Sequence, residues 1–255
     1  MYACGNLLLD ALSPQDIALL RPSLEAVDLP FRHVMEDANK AIEHVYFMEA
    51  GVASMVASTH RDGEIEVGLM GAEGMSGIAV LMGKDRSPNK TWVQIAGCGH
   101  RISADEFRRA IDTSRTLQRA LLKYAHSFLV LTTHTAFANG RGRLEQRLAR
   151  WLLMVQDRVG SCELRLSHEL VSIALGVRRA GVTTAIGAFE DRGLIRHGRS
   201  CISVVDRNGL EEVAGTFYGT AEKELRRFAG SLMQNPQPLR FKDSMSPPLE
   251  AGRGF

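Results

Sequence analysis

Cysteine is scarce and scattered: the 255 residues hold four, Cys4, Cys98, Cys162 and Cys201, with no C-x-x-C spacing and no neighbouring histidine pair. That arrangement offers neither a zinc site nor a closely spaced disulfide framework, so buried or idle thiols are expected and no metal ligand is assigned. Long apolar runs are missing too. No segment reaches the roughly 18 uncharged residues that span a bilayer, which predicts no contact with a membrane. The opening MYACGNLLLDALSPQD turns acidic and polar too soon for a secretory leader, and a cytoplasmic protein is expected. Catalytic signatures are equally thin. There is no Ser-His-Asp arrangement, paired-carboxylate motif or complete nucleotide-binding loop, which leaves an enzyme as the weakest of three function classes.

Net charge is small, +2, but it is unevenly divided. Residues 140–208 carry 12 Lys and Arg against 7 Asp and Glu, whereas the rest of the chain carries 19 against 22. A basic C-terminal module beside a slightly acidic partner suggests that only the former meets phosphate; a modest excess on a solvated surface is the plainer alternative.

Within the basic module, SHELVSIALGVRRAGVTTAIGAFEDRGLI (167–195) reads as a helix-turn-helix. Leu170, Ile173 and Ala174 give one apolar face, Gly176 and Val177 the corner, and Val182, Ala185, Ile186 and Phe189 the helical spacing of a second amphipathic helix. Ser167 suits the first N-cap, and Gly193 the position just past the second helix. The outward face carries Arg179, Ala180, Thr183, Thr184 and Gly187, small enough to enter a major groove, where Arg pairs with guanine and Thr or Ala touches a thymine methyl. A helical hairpin inside a bundle is the alternative. Arg196, His197, Gly198 and Arg199, followed by the alternating SCISVV, form a basic hairpin wing and favour DNA.

Upstream, Ser13 and Pro14 predict the start of a short helix to Leu20. From Leu29 to about Val93 short strands prevail: HVYFMEAGVASMVAS and EIEVGLMG flank a turn at His60, Arg61, Asp62 and Gly63, and TWVQIAG and HRISA follow, the pattern of an antiparallel barrel or jelly roll. Glycines 71, 74, 77 and 83 let backbone approach a ligand, or simply turn the corners of a small barrel. Leu117, Leu121, Tyr124, Phe128, Leu131, Thr135 and Ala138 then repeat in steps of four and three, a heptad seam that seeks a second subunit or the chain's own barrel. The opposite face is apolar at Leu122, Leu129 and Val130, so one helix can serve both. His126 and His134 on this helix lack further ligands. Asn139 to Gly142 break the helix at a hinge. RLEQRLARWLLMVQDRV resumes one with Leu144, Leu148, Trp151, Leu152 and Val155 inward. GLEEVAG and AEKELRRFAG read as terminal helices, and the Pro-rich end as a disordered tail.

Strands, long helix, hinge, second helix, helix-turn-helix and wing come in an order that resembles the bacterial Crp/Fnr family of transcription regulators over residues 7–208. VYFMEAGVASM, the Gly71–Gly77 corner, LSHELVSIALGV and VTTAIGAFEDRGLI carry the resemblance; IEVGLMGAEGMSG, TAFANGRGRLEQRLARWLLM and LGVRRAGVT are similar to a group of such regulators common in soil proteobacteria. The resemblance implies an α+β chain: an N-terminal antiparallel β-roll or jelly-roll sensory barrel at 1–113, a dimerisation helix at 114–139, a C-terminal winged helix-turn-helix at 140–230 and a disordered tail at 231–255. It implies a homodimer, through Leu117, Leu121, Tyr124, Phe128, Leu131 and Thr135, on a palindromic double-stranded DNA site. Ser167, Arg178, Arg179, Ala180, Thr183, Thr184, Arg196 and Arg199 are the implied DNA contacts, and RNA polymerase the implied second partner. An effector pocket falls on Gly71, Glu73, Gly74, Met75, Gly77, Asn89, Lys90, Thr91 and Phe128.

Family members that bind cyclic AMP carry a glutamate in the Gly-rich corner for the ribose and an Arg-Ser pair before the next strand for the phosphate. Met75 and the pair Asn89 and Lys90 stand there instead. A thioether gives no ionic acceptor and Lys no bidentate fork, which argues against cyclic AMP. Iron–sulfur members need clustered N-terminal cysteines, and only Cys4 stands there. No cofactor is assigned; another effector, a partner or no ligand at all stay open. The second function class is a ligand-binding sensory adaptor with a vestigial helix-turn-helix, which would have little use for Arg179 and a basic wing.

Overall fold

The computed structural model describes residues 5–59 and 63–232; Cys4, the His60–Asp62 part of the expected turn and residues 233–255 of the expected tail lie outside the described residues. Helices α1 (Leu7–Asp10) and α2 (Pro14–Leu20) lead in. Ser13 caps α2 as its sequence predicts, its Oγ accepting the Asp16 N–H at 3.1 Å.

Seven strands follow: β1 (Glu25–Leu29), β2 (Val34–Glu36), β3 (His44–Met48), β4 (Val52–Thr59), β5 (Gly63–Met70), β6 (Lys90–Ile95) and β7 (Gly97–Ser103). They form two antiparallel sheets, of order β1-β7-β3 and β2-β6-β4-β5. The run HVYFMEAGVASMVAS therefore crosses from one sheet to the other at Ala50 and Gly51, with Val45, Phe47, Met48, Val52, Ala53 and Val56 in the shared core. Short helix α3 (Ile78–Leu81) sits in the Gly-rich corner and α4 (Ala104–Thr113) closes the roll.

The long helix α5 (Arg115–Arg141) begins at the N-cap Ser114. It passes through Gly140 and stops at Gly142, two residues beyond the expected boundary. A single open-faced glycine costs a helix only about 1 kcal/mol, too little to end one that is packed on a neighbour. That neighbour is α10 (Thr220–Leu232), which lies along α5 with Phe228 against Tyr124, ring centroids 6.0 Å apart. Between them run α6 (Leu144–Val159), β8 (Glu163–Leu164), α7 (His168–Leu175), α8 (Arg179–Asp191), β9 (Ile195–Gly198), β10 (Cys201–Val204) and α9 (Arg207–Ala214). The wing has a third strand, in the order β8-β10-β9, that the sequence reading did not include.

The heptad seam of α5 faces its own chain. Leu117 and Leu121 are fully buried, and Tyr124, Phe128, Leu131 and Thr135 nearly so, against the barrel and α10. This corrects their assignment to a subunit interface: periodicity identifies an apolar face but not its occupant. The opposite face stays open at Leu122, Leu129 and Phe137, which are 44%, 59% and 52% exposed.

Candidate nucleic-acid interface and barrel corner

Helices α7 and α8 meet at a bend of 107°, within the range of a helix-turn-helix. Gly176 makes the corner in the left-handed region at φ 60°, where a side chain would be strained and would also meet Ile65 of β5. Ser167 Oγ accepts the Leu170 N–H at 3.2 Å, capping α7. Val182, Ala185, Ile186 and Phe189 are buried, so α8 can expose only its other face. On that face Arg179, Ala180, Thr183 and Thr184 are all exposed, with Arg178 immediately before them. The two threonine hydroxyls donate to carbonyls one turn back, Thr183 to Arg179 at 3.1 Å and Thr184 to Ala180 at 3.2 Å.

The wing lies beside this face. Arg196 and Arg199 are exposed, and Ser200 turns the tip at φ 59°. His197 is tied back to α8: its backbone N–H donates to Glu190 Oε1 and its Nδ1 to Oε2, each at 3.0 Å. His168 at the start of α7 meets Thr183 Oγ1 at 3.1 Å and places its ring 5.5 Å from that of His197. The sequence reading named neither His168 nor Glu190. Contacts between α7, α8 and the wing join residues 15 and 29 apart, and spacing along one helix does not reveal them.

The Gly-rich corner is filled from within. Met75 is fully buried, and its carbonyl accepts the Tyr124 hydroxyl at 3.1 Å. A Cβ at Gly74 would overlap that same hydroxyl, and Phe128 packs as closely on Gly68. Asn6 Nδ2 donates to the carbonyls of Met48 and Gly74, at 2.6 and 2.9 Å. The Gly77 N–H donates to Glu36 Oε1 at 2.8 Å, and burial raises that carboxyl above its usual range. Glu73 does not line an open pocket; Arg158 of α6 takes it at 2.7 Å as an ion pair, off the line of the N–H bond. Gly71 lies under the same arginine, whose methylenes a Cβ there would press. Asn89 turns its amide toward Met55 Sδ at 3.7 Å, Lys90 is half-buried at the start of β6, and Thr91 is buried.

A second junction lies deeper. Glu66 of β5 is enclosed between barrel and α6, where Ser54 Oγ donates to it at 2.5 Å and Trp151 Nε1 at 2.9 Å. Burial pushes its carboxyl up to about 7. Arg147 of α6 donates to Asn139 Oδ1 on α5 at 3.0 Å and to the Leu175 carbonyl on α7, and Arg150 to Thr135 Oγ1 at 3.2 Å. Helix α6 is thus bonded to the barrel, the long helix and the helix-turn-helix at once. Among the described residues no group of three or more His, Cys, Asp or Glu could hold a metal ion, and no single helix is long and apolar enough to cross a membrane.

Comparison with known proteins places these features. A family model described as a Crp-like helix-turn-helix domain matches residues 146–213. No curated protein matches the chain. Among solved structures, FixK2 of Bradyrhizobium japonicum is similar, with TM-score 0.64 and 15% identity over 76% of this chain and 98% of its own. A CRP-family transcriptional regulator of Thermus thermophilus gives TM-score 0.63 and 20% identity over 74% and 97%. CLP, a c-di-GMP responsive global regulator of Xanthomonas campestris, gives 0.63 and 16% over 75% and 99%. At these identities the structural likeness speaks for the fold, and the helix-turn-helix match for the reading head. Residues 146–213 are thus similar to a Crp-like helix-turn-helix domain, on a chain whose barrel and long helix share the fold of those regulators.

Proposed function

We propose that the chain acts as a homodimer on an inverted-repeat promoter site, each α8 lying in a major groove, with a barrel that has no place for cyclic AMP. The observation that carries this reading is the exposed face of α8. Arg179, Ala180, Thr183 and Thr184 stand outward on a helix whose other side is core, and the cationic wing stands beside them. Base-edge contacts from α8 specify sequence, and phosphate contacts from Ser167, Arg178, Arg196 and Arg199 fix its register. Two-fold symmetry is supported by α5, whose inner face is satisfied within the chain while Leu122, Leu129 and Phe137 remain open to a second copy. The absence of a cyclic-AMP site is supported by the corner: Met75 replaces a ribose acceptor, Tyr124 and Phe128 occupy the adjoining space, and Glu36 already holds the Gly77 N–H. Residues 1–113 then serve as the sensory roll, 114–139 as the dimerisation helix and 140–230 as the reading domain. Selection of bound duplexes from a random pool tests the whole proposal: two half-sites one helical turn apart in mirror orientation are expected, and recovery of no preferred sequence overturns it.

A further inference from the structure

We infer that His168 and His197 form a proton-gated phosphate contact, through which DNA binds more tightly as pH falls. The inference rests on the DNA-binding reading and adds a form of regulation to that surface. The two imidazoles belong to the elements flanking α8, the first turn of α7 and the wing, and their rings lie 5.5 Å apart at 35°. In helix-turn-helix proteins those flanking elements run past the backbone of the duplex.

Hydrogen bonding decides which nitrogen is free. The single hydroxyl proton of Thr183 is directed at the Arg179 carbonyl, so its oxygen accepts from His168 Nδ1–H at 3.1 Å. The Glu190 carboxylate can only accept, so His197 Nδ1 is also the protonated nitrogen. Both neutral rings therefore keep Nε2 as the unprotonated nitrogen.

The charges around His168 oppose a second proton in the free protein. Burial, His197 and Arg179, in that order, hold His168 below its ordinary value of 6.5. Arg196 and Arg199 add positive charge from the wing, and the N-terminus of α7 adds its dipole. On the other side, Glu190 is committed to His197, and Glu169, the neighbour of His168 on α7, is drawn 3.3 Å from Arg32 of the barrel. A backbone phosphate is the anion that reverses this balance. His168 is then more basic in the complex than in the free chain, so binding takes up protons. The gain starts as pH falls through the bound-state value and is complete below the free-state value, which lies under 6.5.

Because phosphates carry the effect, a mixed-sequence duplex at low, fixed salt is a sufficient probe. Its affinity for the full-length protein is measured by fluorescence anisotropy from pH 8 to 6, and proton uptake by calorimetry in buffers of different ionisation heat. Each proton taken up steepens the affinity by at most about tenfold per pH unit. We expect uptake by the unaltered protein, and a flat profile with no uptake in His168→Gln/His197→Gln. A flat wild-type profile overturns the inference, as does a slope that persists in the folded double variant; the wild-type proton count needs no variant. Failure to bind this duplex or any selected one at every pH overturns the DNA-binding reading itself, and the inference with it.

Discussion

The indole N–H of Trp151 donates to Glu66 Oε1 across 2.9 Å, and this bond ties the barrel to α6, at the start of the segment that resembles a Crp-like helix-turn-helix domain. Both side chains are buried, so pulling them apart without water leaves an unpartnered donor and acceptor, at about 1–3 kcal/mol. The Glu73–Arg158 pair makes a second tie from the Gly-rich corner to the same helix. Barrel and α6 are thus joined through Trp151 and Arg158, and α6 reaches the carbonyl at the end of α7 through Arg147.

The Glu66 carboxyl gives stability a pH dependence. Its folded-state value, about 7, lies above the ordinary 4.5, so the native state holds that proton more tightly than the unfolded chain. The contribution is present in full below pH 4.5 and is lost as pH rises through 7. At about 1.4 kcal/mol per unit, the loss across this window is on the order of 3 kcal/mol. Glu66→Gln keeps an acceptor for Trp151 and, like the protonated acid, presents a donor to Ser54, whose hydroxyl then accepts. Urea unfolding of both proteins at pH 5 and pH 8 should show a fall in the wild type that the variant lacks; equal falls dismiss the assignment.

Local signals in the sequence told most about this fold. The Ser13 and Ser167 caps, the Gly176 corner and the buried stripe of α8 are set by neighbours within about a turn or two, and the structure has each of them. The seam of α5 was visible as a pattern, yet an apolar stripe fits a barrel, α10 or a second subunit equally well. Contacts that join Glu66 to Trp151, 85 residues away, or Arg158 to Glu73 exist only after the chain has folded. Glu73 is polar, lies beside glycines and reads as a ligand group; it is instead an internal counter-ion.

Two adjacent residues of α5 separate folding from assembly. Phe128 is packed on Gly68 and Tyr124, so Phe128→Ala should cost about 3–5 kcal/mol in unfolding experiments. Leu129 is 59% exposed, and Leu129→Glu should leave that stability within about 0.5 kcal/mol while turning a dimer into a monomer in sedimentation. Wild type sedimenting as a monomer at micromolar concentration removes the homodimer.

Gly74 is required by Tyr124 rather than by a ligand. An added Cβ overlaps the phenol hydroxyl and crowds Cζ and Cε2, so Gly74→Ala should destabilise by about 1–3 kcal/mol. Tyr124→Phe removes the oxygen and should recover part of that loss in the double variant, although the bond to the Met75 carbonyl goes with it. Simple additivity in thermal or urea unfolding denies the contact.

Calorimetric titration with cyclic AMP should show no saturable binding. The ligand brings a phosphate charge that must lose its water, which costs several kcal/mol or more without matched donors. Here the Gly77 N–H is taken by Glu36, whose own charge would repel the phosphate when ionised, and Asn89 is turned toward Met55. Micromolar binding that also raises DNA affinity refutes this account of the corner.

Arg179 and Arg199 should divide reading from holding. Arg179 stands on the exposed face of α8 with Thr183 and Thr184, and a guanidinium forked onto guanine O6 and N7 distinguishes that base from the other three. Arg179→Ala should therefore cost about 1–3 kcal/mol on a selected site and less on random duplex, relaxing preference at one position of each half-site. Arg199 is exposed beside the wing tip at Ser200 and, on the proposed DNA complex, would meet phosphate whatever the sequence. Arg199→Ala should weaken selected and random DNA alike and make the salt dependence of binding shallower by about one counterion per protomer. Titrations of both variants against both duplexes at two salt concentrations decide the matter: if the two variants lose the same affinity on both duplexes, α8 is not presenting Arg179 to the bases.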